Sequence, residues 1–249
     1  MKLTVCGSGS SGNGYVLHNE NEALIIECGV NFIEIKKALN FNISKIKACL
    51  ISHEHGDHAG CVRDYLQMGI PLVTSCGTLK AIEAKHGQFT RGRIGVLPEK
   101  IVRYGGFSII PFNTIHDAAE PFGFLIHHEE TGNVLFATDT SELNYIFPGL
   151  NNILIEANYS DEIVFDNIYD GKVNYRQQER VEISHLSIKK TLSFLRRQTL
   201  KEVNNIVLIH LSSRNSDAAD FKKQVEAETG KNTFTAEKGL TIDFNKTAL

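Results

Sequence analysis

Nine consecutive residues, Leu50-Ile51-Ser52-His53-Glu54-His55-Gly56-Asp57-His58, concentrate the chemistry of this chain. An apolar stretch ends, and four side chains able to donate to a metal follow within six positions: His53, His55, Asp57 and His58. His53 and His55 stand two apart, so in an extended backbone both imidazoles project to one side, as two ligands of one ion would. Gly56 then allows the chain to turn, which brings Asp57 and His58 to a second position beside the first. Imidazole and carboxylate donors without thiolate suit Zn²⁺ best, with Mn²⁺ or Fe as the next choices.

Three more donors stand in similar places. The apolar stretch at 109–115 delivers His116, 134–138 delivers Asp139, and 206–209 delivers His210. Taken singly, each has an ordinary reading as a cap or loop residue. Beside the 53–58 cluster they read as ligands, because strands whose carboxyl ends share one sheet edge would gather them into one cleft. His185 precedes a helix start at Ser187 and borders a basic segment. Between Lys172 and Lys201 stand Lys172, Arg176, Arg180, Lys189, Lys190, Arg196, Arg197 and Lys201 against Glu179 and Glu182, 8 − 2 = +6. Ile188, Leu192 and Leu195 form an apolar stripe there, with Lys189, Lys190, Arg196 and Arg197 on a neighbouring flank at seven-residue spacing. Such a flank is either merely solvated or recruits a polyanion.

The elements that must position these residues are short. Apolar runs at 3–6, 23–26, 48–51, 71–74, 107–111, 123–126, 134–137, 153–155 and 206–209 read as strands. Residues 32–39, 62–68, 78–86, 188–195 and 218–228 carry apolar residues at helical spacing. Residues 129–133 look like a hairpin turn. A layered α/β architecture follows. With 5 dispersed prolines, no repeat and no linker, residues 1–249 read as a single domain.

Composition excludes several classes. Of the residues, 42% are hydrophobic and 22% charged, as expected of a globular protein. No apolar run approaches the roughly 18 residues of a membrane span, and Met1-Lys2-Leu3 leads into strand-like sequence without a signal pattern, so a cytoplasmic protein without a membrane is expected. Five cysteines without CxxC spacing argue against a disulfide framework and read mostly as small core residues. The net charge of 26 − 29 = −3 excludes nucleic-acid coating by bulk positive charge.

The order His53-x-His55-x-Asp57-His58, His116, Asp139, His210 resembles the metallo-β-lactamase superfamily. The resemblance covers most of the chain and implies an α/β (α+β) four-layer αββα sandwich with the site at one edge of its two sheets. It also implies His53, His55 and His116 on one metal, Asp57, His58 and His210 on another, and Asp139 bridging. His55 stands where flavodiiron relatives carry Glu. The segments 6–13 and 52–55, with Glu156-Ala157-Asn158, His185-Leu186-Ser187 and His210-Leu211-Ser212, are similar to the YycJ (WalJ) group, regarded as DNA exonucleases. Ser184 and Ile188 depart from that group's usual Gly and Asn. Glu27 replaces its usual early Asp and reads as a hydrogen-bond acceptor behind a ligand. The glycine-rich 7–14 segment reads either as an anion-binding nest or as a tight loop.

The expected function is a phosphodiesterase or nuclease, DNA being the favoured nucleic-acid substrate. Two divalent ions about 3.5–4 Å apart would supply a bridging hydroxide nucleophile near neutral pH. Asp57 and Asp139 are expected to orient it as well as to ligate, and a protonated His185 to stabilise added charge or protonate the leaving oxygen. Ser187, Lys189, Lys190, Arg196 and Arg197 are the expected substrate-binding residues. Two alternatives are hydrolysis of a small ester, thioester or lactam, and a metal-stabilised regulatory protein without turnover. His18, His86, His127 and His128 read as surface residues.

Overall fold

The computed structural model describes residues 1–87, 93–171 and 175–247. The chain runs through β1 (Lys2–Gly7), β2 (Gly14–His18), β3 (Ala23–Ile26), β4 (Ile46–Leu50), β5 (Leu72–Ser75) and β6 (Arg93–Val96). It then builds a second sheet from β7 (Val102–Tyr104), β8 (Phe107–Asn113), β9 (Phe122–His128), β10 (Gly132–Ala137), β11 (Leu150–Glu156), β12 (Asn205–Ile209) and β13 (Asn232–Thr235), and returns with β14 (Thr241–Asp243) to the first. The sheet orders are β14-β1-β2-β3-β4-β5-β6 and β13-β12-β11-β10-β9-β8-β7. The helices are α1 (Phe32–Ala38), α2 (Gly56–Ala59), α3 (Val62–Gln67), α4 (Cys76–His86), α5 (Asp161–Tyr169), α6 (Tyr175–Ser184), α7 (Ile188–Arg197) and α8 (Ala218–Thr229).

Why the strands read as unbroken apolar runs becomes clear from their two faces. Leu24 and Ile26 of β3 point into the layer between the sheets, while Ala23 and Ile25 pack outward with Phe32, Ile35, Val62 and Tyr65. In β10, Val134 and Phe136 point inward and Leu135 and Ala137 pack outward with Ile188, Leu195 and Phe221. A strand covered on both faces has no solvent side to show as an alternating pattern. Three apolar layers between four layers of structure make an αββα sandwich, as expected. No helix among the described residues is long and apolar enough to cross a membrane.

Phe136 lies at the centre of the inter-sheet layer, with the Tyr15 and Phe124 rings 5.7 and 6.4 Å away. Phe136→Ala is expected to cost about 3–5 kcal/mol through lost burial and the cavity left behind. A urea titration against the parent checks this, and a loss under 1 kcal/mol would contradict the packing.

Several elements lie outside the sequence reading. The edge strands β7 and β14 have three residues each, too short for periodicity to register. α5 begins behind a capping Ser160 yet leaves Phe165 and Tyr169 exposed, so it has no clean apolar stripe. His128 is buried, not a surface residue: its ring packs on Phe107 and bonds Glu22 at 3.0 Å. Cys76 is exposed at the start of α4, unlike the buried Cys6, Cys28 and Cys49.

Candidate metal centre

The site forms where strands stop. β10, β11 and β12 are parallel neighbours, so their carboxyl ends share one edge and present Asp139, Glu156 and His210 side by side. β8 is antiparallel to β9, and β9 to β10, so β8 runs the same way as β10 and its exit leads to His116 at that edge. The exit of β4 leads to His53 and His55, and α2 presents Asp57 and His58. Glu27, Asp139 and His210 have positive φ, 68°, 43° and 54°. Left-handed backbone at non-glycine residues carries strain that the surrounding structure must hold, and it collects at such sites.

Two sets of donors face one another across Asp139. In the first, His53 Nε2 lies 3.0 Å from His55 Nδ1, which lies 3.2 Å from His116 Nε2. In the second, Asp57 Oδ2 lies 3.3 Å from His58 Nε2 and 3.2 Å from His210 Nε2. Asp139 Oδ2 reaches both, at 3.6 Å from His53 Nε2 and 3.4 Å from His116 Nε2 on one side and 3.4 Å from His58 Nε2 on the other. The donor atoms of His53, His55, His116 and Asp139 all lie within 4.8 Å of one another, and those of Asp57, His58 and His210 do likewise.

Behind them stand groups that orient the rings. His116 Nδ1 donates to the Ser184 carbonyl at 2.9 Å, which leaves its Nε2 bare and aimed inward. The departure at position 184 therefore touches the site through backbone. Glu27, fully buried, accepts from Ser52 N at 3.3 Å and sits 3.5 Å from His58 Nδ1. Asn13 of the glycine-rich loop donates from Nδ2 to the Asp57 carbonyl at 3.2 Å and lies 3.1 Å from His58 Nε2, while Ser8 Oγ accepts from His210 N at 2.9 Å. Glu156, also fully buried, has Oε1 2.9 Å from His210 Nδ1 and 2.8 Å from His185 Nδ1, and Oε2 takes the Leu186 and Thr140 amides.

Burial, reinforced by neighbouring imidazoles, pushes the pKa of His53 well below the ordinary histidine value. Burial likewise lowers that of His116 against the pull of Asp139. Burial opposes charge on His58 and His210, but Asp139 and the other carboxylates outweigh it and raise both well above the ordinary value. Burial also opposes ionisation of Asp139 and Asp57, yet the adjacent His58 and His210 hold both carboxyls well below the usual range. For His185, burial is outweighed by Glu156, which raises it.

The donor set fits a divalent cation. A bare His116 Nε2 faces a carboxylate oxygen of Asp139 at 3.4 Å. Lone pairs aimed together repel unless a positive charge sits among them. Hard oxygen and borderline nitrogen donors are those zinc and its neighbours take.

The expected substrate-binding residues lie elsewhere. Ser187 Oγ caps α7 by accepting from Lys190 N at 3.3 Å, and the residue is buried. Lys189 pairs with Glu162 at 2.7 Å and Asp161 at 3.4 Å, and Arg196 pairs with Glu228 through two bonds of 2.7 and 2.6 Å. Lys190 Nζ donates to the Ser141 carbonyl at 3.0 Å, and Arg197 donates to the Leu143 carbonyl at 2.7 Å, so both brace the loop after Asp139. None of the five lines the cleft. Lys172 lies outside the described residues. Instead Ser10, Asp117, Arg180 and His185 line it together with the donors. Glu156 and Arg180 escape the sequence reading as site residues. Glu156 carries a detectable signal, an acid at the end of an apolar strand like Asp139, whereas Arg180 is hidden among other exposed cations. Ser187→Ala is expected to cost about 1 kcal/mol through the lost cap, roughly 2–4 °C in Tm. A substrate-KM defect without a Tm change would return Ser187 to the cleft.

The sequence profile of the metallo-beta-lactamase superfamily matches residues 7–149. Exodeoxyribonuclease WalJ of Streptococcus pneumoniae is 27% identical over 260 residues, covering 98% of this chain and 92% of that protein. Exodeoxyribonuclease YycJ of Bacillus anthracis is 23% identical over 228 residues, covering 87% and 84%. The metallo-beta-lactamase fold protein YhfI from Bacillus subtilis superposes with a TM-score of 0.69 at 16% identity over 97% of this chain and 98% of that one, a likeness of fold. A profile match spanning more than half of the chain, over the strands and loops that carry His53 to Asp139, makes this protein a member of the metallo-β-lactamase superfamily.

Proposed function

We propose that this protein is a metal-dependent nuclease that hydrolyses phosphodiester bonds of DNA, with residues 1–249 acting as one domain. The observation that carries the reading is the convergence of two His and carboxylate sets on Asp139, which touches His53 and His116 of one and His58 and His210 of the other, in an open cleft whose wall holds His185 against Glu156. The superfamily and relatives named exodeoxyribonucleases support it.

His53, His55 and His116 would hold one divalent ion, Asp57, His58 and His210 a second, with Asp139 shared; zinc suits the donors best. Bound there, such ions lower the pKa of water and act as Lewis acids toward a phosphoryl oxygen. The protein's own part is positional. Glu27, Glu156 and the Ser184 carbonyl fix ring orientations, so the donors need no rearrangement. Asp57, 21% exposed against 4% for Asp139, is the carboxylate that meets solvent and orients a water molecule. His185, its pKa raised by the adjacent Glu156 and its ring partly exposed to the cleft, is placed in its protonated form to stabilise negative charge on the phosphoryl group and to give its proton to the departing oxygen.

The test incubates metal-loaded and chelator-stripped protein with end-labelled single- and double-stranded oligonucleotides, a chromogenic phosphodiester and a lactam, with His116→Ala as control. DNA products that require metal and vanish in the variant are expected. Hydrolysis of the lactam without DNA products would overturn the reading.

A further inference from the structure

The cleft needs a grip on the strand, and the basic flank of α7 does not line it. Lys189 and Arg196 are paired with carboxylates, and Lys190 and Arg197 are spent on loop carbonyls. Arg180 differs in each respect. It is the sole Lys or Arg among the described residues lining the cleft, where it stands with Ser10, Asp117, Ser184 and His185. The residue is exposed, and among the described residues it has neither a hydrogen-bond nor an ion-pair partner, although Asp57, Asp117 and Asp139 line the same cleft.

Its helix is anchored at the end nearer the donors. Arg180 and Ser184 are four apart on α6 and so share a helix face. The Ser184 carbonyl accepts from His116 Nδ1 at 2.9 Å, and His185 N closes onto the Val181 carbonyl at 3.0 Å before its ring meets Glu156. The last turn of α6 is thereby tied to both donor sets, and Arg180 stands one turn out from it, about 6 Å along the axis. A free guanidinium one turn from that anchored end, on the wall of the same cleft, is suited to a phosphate next to the one being cleaved, which its planar fork can bind through two hydrogen bonds.

We infer that Arg180 is the residue that selects polynucleotide substrates, by gripping a phosphate of the strand adjacent to the scissile one. This rests on the nuclease reading above and adds to it a specificity determinant outside the donor set. A diester with a single phosphate has nothing for Arg180 to hold.

The test compares Arg180→Ala, Arg180→Lys and the parent on a 12-nucleotide single strand and on bis(p-nitrophenyl) phosphate, with strand binding measured from low to moderate salt. For Arg180→Ala the strand KM should rise roughly tenfold with kcat nearly held, and the loss on the small diester should be several-fold smaller. The dependence of log affinity on log salt should flatten by about 0.7, one phosphate contact to a single strand. Arg180→Lys should recover the salt slope but only part of the KM, because it keeps the charge and loses the fork. Equal losses on both substrates, or a parental strand KM and salt slope in Arg180→Ala, would overturn the inference while leaving the nuclease reading standing. A parent that cleaves the small diester but no oligonucleotide would overturn both.

Discussion

Asp139→Asn is expected to lower DNA hydrolysis roughly 10³-fold, about 4 kcal/mol of barrier, without unfolding the protein. Asp139 Oδ2 stands within 3.6 Å of His53, His58 and His116, and Oδ1 lies 2.9 Å from His210 Nδ1. An amide has the same shape but lacks the negative charge that balances cations gathered there. Its NH₂ group must also face at least one nitrogen or cation that the carboxylate oxygen accepted. The backbone at 139, with φ 43°, is one that Asn adopts readily, so the substitution isolates charge from strain. Activity on end-labelled DNA, metal content and a thermal melt together check this. A variant within tenfold of the parent, retaining its full metal complement, would show that Asp139 does not join the two donor sets.

Glu156→Gln is the second large effect, although Glu156 is not itself a donor in either set. Its carboxylate takes the His210 and His185 rings on one oxygen and the Leu186 and Thr140 amides on the other. A glutamine offers one acceptor oxygen and one NH₂ group, so some of these four donors lose their acceptor. Loss of such an orienting carboxylate behind a metal-binding histidine costs roughly 10–100-fold in metal affinity or activity. Glu156→Ala, which leaves the rings uncompensated in a buried position, should also cost about 3–5 kcal/mol of stability. His185→Ala and the double variant complete a cycle. If Glu156 acts partly by keeping His185 charged, the double variant loses much less activity than the two single losses combined. Independent losses would confine Glu156 to holding His210.

The legible part of this molecule was local. His53, His55, Asp57 and His58 are recognisable because four donors in six residues at the end of an apolar run have few other uses, and a layered α/β fold is foreshadowed by short apolar runs between helical stretches, the αββα order itself being what the family resemblance implies. His116, Asp139 and His210 become readable only as companions of that cluster. The α7 flank shows the opposite case. Lys189, Lys190, Arg196 and Arg197 lie together on a helix, but the residues that neutralise or occupy them, Glu162, Ser141, Glu228 and Leu143, are between 27 and 54 positions away. A charge count along the chain cannot register such partners.

From its sequence alone this chain declares the donor types, the metal chemistry they suit and the layered fold that would bring them to one edge, since each follows from residue identity and local spacing. Tertiary structure alone decided that Glu156 joins His185 to His210, that the Ser184 carbonyl sets the His116 ring, and that Arg180 is, among the described residues, the unpaired cation lining the cleft. Orientation and charge pairing depend on which distant side chains share a few ångströms of low-dielectric space, and the close packing of the sandwich settles that.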